Sequence, residues 1–464
     1  MISRWLNQTS WRQASLPAVE PGFQPGGLGD QITQHLGFFR CARVVLALFR
    51  AARCAPSTAG RMPAATVLAV LLLGQAVTAA QFSVSTNAGD EFVSLGRDTN
   101  GTVWLAGARN GVATLFQSSG TNFNAATLAA LNVGDETFIG SISRDASHIC
   151  GASGDEATLW NVSNPGTVTG IGIPVGRSYS EAHGVSSGAT PTVLVFSPPG
   201  SFVWSPASGL QAFSNPAGHL QTDLGAVSSD GETMVGVALG TTTSADPFVF
   251  QGTSFTFLDE MGGLNSRATA LSPNGAAIGG RIEGQGVIWR KGTNWQDSLP
   301  LRLTINSNPV GEVLAVTDTG FAVGATAGGG YIHDPRTGET SWFDDWWQNE
   351  TGSAVPHHVT GVNDVYEAGG QLYFALATAN GAALASVNAP PPPAPSLALA
   401  LLPSGQIELR WATNQSGIIE STPGLIPTAW LPLTNAVPTQ TNGQFVLTLP
   451  ATNAANFFRL RVTP

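Results

Sequence analysis

A tandem repeat constrains this chain more than any other feature. It is clearest from Gly262 to Trp289, GGLNSRATALSPNGAAIGGRIEGQGVIW, and it returns in worn form from about residue 90 to residue 390. Ser266 to Ser272 alternates small and apolar residues, Pro273-Asn274-Gly275 is turn chemistry, and Ala276 to Ile282 is a second apolar run. Glu283-Gly284-Gln285 turns again, Gly286 to Trp289 is a third run ending in an aromatic, and Asn294 to Leu299 reads as a fourth. Four short strands over ~45 residues is the length of one propeller blade. A lone blade has two apolar faces, so such units are stable only when neighbours cover both.

The same columns recur along the chain. A turn-and-glycine column reads Asp98-Thr99-Asn100-Gly101 with Gly107, Arg144-Asp145-Ala146 with Gly151, Ser229-Asp230-Gly231 with Gly236, Asn274-Gly275 with Gly279, Asp318-Thr319-Gly320 with Gly324, and Asn363-Asp364 with Gly369. An aromatic column follows at Phe116, Trp160, Phe250, Trp289 and His333, while Ser186-Ser187-Gly188 and Trp204 mark a weaker third unit. The units run 89–133, 134–176, 177–219, 220–263, 264–311, 312–356 and 357–390. The expected fold is all-β, a seven-bladed β-propeller over 81–390. The last unit lacks a fourth strand, and the strand-like Gln81 to Thr86 is expected to complete it and remove two free sheet edges.

These residues resemble the HAF-type extracellular repeat proteins of bacteria. The resemblance is carried by Leu258-Asp259-Glu260-Met261-Gly262-Gly263-Leu264-Asn265-Ser266-Arg267-Ala268, then Ala270-Leu271-Ser272 and Asn274-Gly275, and it extends loosely over about 300 residues. The His-Ala-Phe triplet that names the family is replaced here by Ala113-Thr114-Leu115-Phe116, Ala157-Thr158-Leu159-Trp160 and Gly286-Val287-Ile288-Trp289. The resemblance implies an extracellular repeat protein and no settled activity.

Residues 1–61 hold seven Arg against one Glu and one Asp and show no sustained period, which reads as an upstream extension that does not fold. Arg61-Met62-Pro63, the apolar run Ala64 to Leu73 and the small residues of Ala76-Val77-Thr78-Ala79-Ala80 make 62–80 a secretory signal peptide, with Met62 as the start and cleavage near Ala79-Ala80. Gly74-Gln75 breaks the run well short of the ~20 apolar residues a membrane span needs. Of the 20 basic and 30 acidic residues, 13 and 28 lie beyond residue 80, a net charge of −15 that disfavours nucleic acid as a partner. Cys41 and Cys54 precede the cleavage point, so Cys150 is expected alone, as a small buried hydrophobe.

Ala389 to Pro395, APPPPAP, favours extended polyproline and reads as a spacer. Beyond it, six short alternating strands in 396–464 predict a small β-sandwich, Ig-like or fibronectin-like. This segment resembles a C-terminal module of secreted verrucomicrobial and planctomycete proteins through Leu409-Arg410-Trp411, Glu420-Ser421-Thr422-Pro423-Gly424-Leu425, Ala429-Trp430 and Phe457-Phe458-Arg459-Leu460-Arg461. The resemblance implies extracellular placement and surface attachment. Trp411, Trp430, Phe457 and Phe458 are expected in its core.

The most unusual connecting segment is Trp342 to His358, WFDDWWQNETGSAVPHH, expected as a loop on the ligand face. Trp342, Asp344, Asp345, Trp346 and Trp347 suit a sugar, because aromatic rings stack on pyranose faces and carboxylates accept hydroxyl hydrogen bonds. The competing reading makes the tryptophans filler between units. His357 and His358, with Glu181 and His183 at the matching place in the third unit, are candidates for the central channel, where strand alternation turns one of each pair inward. The chain has no His-Glu-x-x-His, Gly-x-Ser-x-Gly, phosphate loop or paired CxxC, so no catalytic residue, metal or cofactor is assigned. The sequence thus favours a secreted or cell-surface binding or adhesion protein taking a glycan or a protein. A carbohydrate-active hydrolase or lyase and a purely structural envelope protein are the alternatives.

Overall fold

The structure is a computed structural model that describes residues 80–240, 245–292, 294–389, 397–402, 406–412, 417–422, 431–433, 438–441, 444–450 and 457–462. The expected extension, nearly all of the signal peptide, the prolines of the spacer and Trp430 lie outside the described residues.

Seven four-stranded antiparallel sheets follow one another between residues 81 and 388. Their first strands are Asp90–Arg97, Thr137–Ile142, Glu181–Val185, His219–Val227, Ser266–Leu271, Val313–Val316 and Val359–Ala368. In the first six, strand order follows chain order; in the seventh, Gln81–Val84 supplies the outer strand, antiparallel to Gly381–Asn388 with Phe82 opposite Ala385. Each first strand packs beside the first strand of the next sheet, and Val359–Ala368 packs beside Asp90–Arg97, so the succession closes on itself.

The repeat owes its shape to three recurring devices. Ser143, Ser228, Ser272 and Thr317 stand directly after their first strands, each at most 1% exposed. Each hydroxyl accepts from a backbone N–H at the start of the second strand or just before it, at His148, Thr233, Ala277 and Phe321, over 2.9–3.0 Å. This bond fixes the turn on which the second strand folds back.

The second device is a β-bulge in the first strand. In the first, second, fourth, fifth and sixth sheets a glycine faces it: Gly107, Gly151, Gly236, Gly280 and Gly324. A Cβ at any of these five would lie 1.8–2.4 Å from a first-strand carbonyl oxygen. The fifth member is therefore Gly280, not Gly279. Gly369 lies in a turn at φ 60°, and Leu376 holds the equivalent place in the seventh sheet. The bulged residue turns toward the next sheet: Asn363 Nδ2 donates to Phe92 O at 2.7 Å and Thr269 Oγ1 to Val313 O at 3.3 Å. At Gly140 and Gly225 the strands approach so closely that a Cβ would sit 2.1 and 2.8 Å from the next strand's carbonyl.

The third device is the aromatic column, which fills the space between sheets. Trp160 and Trp289 are fully buried, and their indole N–H groups donate to Ala129 O at 2.7 Å and Asp259 O at 2.9 Å, in the connectors arriving from the preceding sheet. The fourth strand of the fifth sheet is Leu301–Arg302 rather than Asn294–Leu299. Ser298 Oγ donates to Arg290 O and folds that segment into a turn that buries Trp295.

Buried charge joins the ends of the succession. Arg144 of the second sheet forms a bidentate pair with Asp364 of the seventh at 2.7 and 2.8 Å, and Asp364 also accepts from the first sheet's Leu95 N–H and Ser94 hydroxyl. Cys150 is fully buried and unpaired, and burial pushes its thiol up to about 11. Beyond the spacer the described residues include seven strands, Thr439–Thr441 standing in addition to the six expected. They form one four-stranded and one three-stranded sheet, and Leu409, Trp411 and Leu447 of the first share an apolar cluster with Ile419 and Phe458 of the second.

Candidate binding site

Two segments depart from the repeat, and they are neighbours. The first is a hairpin between the fifth and sixth sheets, Thr304–Ile305 paired with Asn308–Pro309. Asn306 and Ser307 take positive φ of 50° and 67° at its tip, and Leu303, Ile305 and Val310 bury its root. The second is the helix Phe343–Thr351 after the sixth sheet, where the sequence pattern had suggested a loop. Phe343, Trp346 and Trp347, at i, i+3 and i+4, form its buried face, Asp344 and Asp345 occupy the first turn, and Gly352 at φ 74° ends it.

Between the hairpin and the outer strand Glu339–Trp342 lies a cleft of about 490 Å³. Leu301, Arg302 and the hairpin residues up to Asn306 form one wall; Gly338 to Trp342, together with Asp345 of the helix, form the other. His333 lines the cleft from the third strand of the sixth sheet. The second and fifth sheets place an indole at this position of the aromatic column. The imidazole is smaller, and the hairpin and cleft occupy this margin of the sheet. Burial first, then the Arg290 guanidinium, lowers His333 to about 4 against the opposing pull of Asp334. Its Nδ1 lies 3.2 Å from Thr340 Oγ1. Arg302 Nη1 donates to Gln285 Oε1 at 3.2 Å.

The residues singled out in the sequence divide accordingly. Trp342 and Asp345 line the cleft. Trp346 and Trp347 do not: they are 5% and 3% exposed, packed with Phe343, Phe374 and Phe82, and Trp346 Nε1 donates to Asp334 Oδ2 at 3.1 Å. Their apolar surface is spent on the core, so neither ring is available to stack on a sugar. Asp344 meets His358 at 2.7 Å and accepts from the Val359 N–H at 3.2 Å; it closes the segment onto the seventh sheet. His357 Nδ1 accepts from Asn380 Nδ2 at 2.9 Å. Glu181 lies 3.6 Å from His183 of its own strand, and His183 stacks on Phe196.

Glu181 shares its register position, two residues before the bulge, with Glu91, Phe138, Asp223, Arg267 and Glu312. Burial raises the Asp223 carboxyl while His183 and Arg267 pull it down, and Arg281 lies 3.8 Å from Glu312. Arg267 and Arg281 of the fifth sheet therefore offset acids on its two neighbours, Asp223 and Glu312. Among the described residues no group of three or more His, Cys, Asp or Glu side chains is placed to hold a metal, and no helix is long and apolar enough to cross a membrane. The sequence reading missed Glu339 and Arg302 of the cleft because nothing in their local pattern sets them apart. His333 was visible as the polar member of an aromatic column.

No protein-family model matches the chain, and no curated protein matches it. Among solved structures it is similar to the extracellular domain of a one component system from B. thetaiotaomicron, with TM-score 0.39, 11% identity, and 72% of this chain and 46% of that chain covered. The extracellular domain of a hybrid two component system from the same organism gives TM-score 0.42 and 13% identity over 81% of this chain and 60% of that one. A virginiamycin B lyase from Staphylococcus aureus gives TM-score 0.41 and 11% identity over 66% of this chain and 98% of that one. The chain thus spans about half to three fifths of the length of the first two.

Proposed function

We propose that this chain is an exported carbohydrate-binding protein of the HAF-type repeat class, with residues 81–390 a seven-bladed β-propeller and 396–464 a β-sandwich that holds it at the cell surface. One observation supports the reading above all. The two segments that break the repeat, the hairpin and the helix, border the same cleft. A regular repeat supplies a scaffold, and specific recognition belongs to the loops it positions. The cleft offers a sugar Trp342 as an aromatic surface, Leu301 as an apolar edge, and the side chains of Asp345, Glu339 and Arg302 as hydrogen-bonding partners.

A glycan-array screen of the full chain beside Trp342→Ala and Asp345→Ala tests this, with thermal melts confirming that the variants fold. Binding to a defined glycan set that both substitutions remove is expected, with the glycan recovered intact. Binding unchanged in both folded variants places the ligand elsewhere, and release of new reducing ends points instead to a hydrolase or lyase.

A further inference from the structure

Five acidic residues lie in and around the helix: Asp334, Glu339, Asp344, Asp345 and Glu350. Three are engaged. Asp334 and Glu350 both pair with Arg336, and Asp344 pairs with His358. Among the described residues the side chains of Glu339 and Asp345 have neither an ion pair nor a hydrogen bond, and these are the two that line the cleft.

The cleft's other ionised group is Arg302, on the opposite wall. His333, at 2% exposure, is neutral near pH 7, with its Nδ1 beside Thr340 Oγ1. The sixth-sheet wall and the helix therefore bring two exposed carboxylates, neither with a protein partner among the described residues, to the cleft that Trp342 also lines. Such a wall accepts hydrogen bonds and attracts positive charge, through carboxylate–ammonium pairing and the ring's negative face.

We infer that the cleft takes a glycan bearing free amino groups, a hexosamine oligomer whose ammonium groups meet Glu339 and Asp345 while its ring lies on Trp342. The inference rests on the carbohydrate reading above. N-acetylation removes the charge and replaces an ammonium donor with an amide, so the acetylated oligomer loses the pairing and keeps the stacking. Because both carboxylates are exposed, salt screens the preference.

Isothermal titration of the full chain with glucosamine tetramer and with its N-acetylated counterpart at pH 6 separates the two readings. The amine form is expected to bind about tenfold more tightly at low salt and to lose that margin as salt rises. The isosteric double variant Glu339→Gln/Asp345→Asn is expected to abolish the preference, because it weakens binding of the amine form far more than that of the acetylated oligomer. Equal or tighter binding of the acetylated form overturns the amine inference and leaves the carbohydrate reading standing. A preference that persists in the double variant assigns it to the acidic surface at large and also overturns the inference. No binding of either oligomer, together with no hit on the array, overturns both.

Discussion

Gly280 is forced by its neighbour: a Cβ there would lie 2.1 Å from Arg267 O, and at Gly107 the distance to Glu91 O is 1.8 Å. Glycine at these five places is required by the close approach of the facing carbonyl and not by a turn, whereas Leu376 stands at the equivalent place in the seventh sheet. Gly107→Ala should therefore destabilise by about 1–3 kcal/mol through backbone displacement, read as a lower urea midpoint. The residue pattern showed a glycine column but not what it served, and for that reason the column was one residue out of step in the fifth unit. The buried hydroxyls Ser143, Ser228, Ser272 and Thr317 recur as regularly, just before the turns, but a hydroxyl's backbone partner is not visible in a linear pattern. His333 gives a pH dependence. Its imidazole is lowered from 6.5 to about 4 in the folded chain, so the unfolded chain takes up the proton first as pH falls. The stability tied to its neutral form is complete above pH 6.5 and is lost progressively down to about pH 4, a loss of about 3 kcal/mol. A His333→Gln variant should show a correspondingly shallower loss of stability over this window in urea titrations. An identical pH profile would show that the imidazole is not held neutral.

At the scale of elements, the helix and the hairpin explain why the site was only half legible. The helix had its signals: Phe343, Trp346 and Trp347 at helical spacing, two acids in the first turn and Gly352 beyond the end. Nine residues are too few for a helix to be stable alone, and this one exists because its aromatic face closes the core between the sixth and seventh sheets. Aromatics that look like a sugar platform in the sequence are consumed by that packing. Trp347→Ala should cost about 3–5 kcal/mol of stability and leave glycan binding intact at temperatures where the variant is folded. Trp342→Ala should do the reverse, with binding lost and a small change in melting temperature. Replacing Thr304–Pro309 with a short Gly-Ser link should likewise abolish binding and preserve the far-ultraviolet spectrum.

For the whole molecule, the periodic pattern announced an all-β architecture because every unit repeats the same solution to burying two faces. The last unit is short of one strand, and Gln81–Val84, with Gln81 opposite Ser386, pairs with its Gly381–Asn388. Deleting Gln81–Val84 should leave Gly381–Asn388 as an open edge, lower the melting temperature by several degrees and promote association on size-exclusion chromatography. The cleft was not legible at this scale, because Leu301, His333, Glu339 and Asp345 come from elements that only the fold brings together. The most direct test of the central claim is a crystal structure of the chain with the tightest-binding glycan from the array. Sugar density between Trp342 and the hairpin, with Glu339 and Asp345 at hydrogen-bonding distance, is the predicted result. An empty cleft with the glycan bound at the axis or on the C-terminal sheets would contradict it.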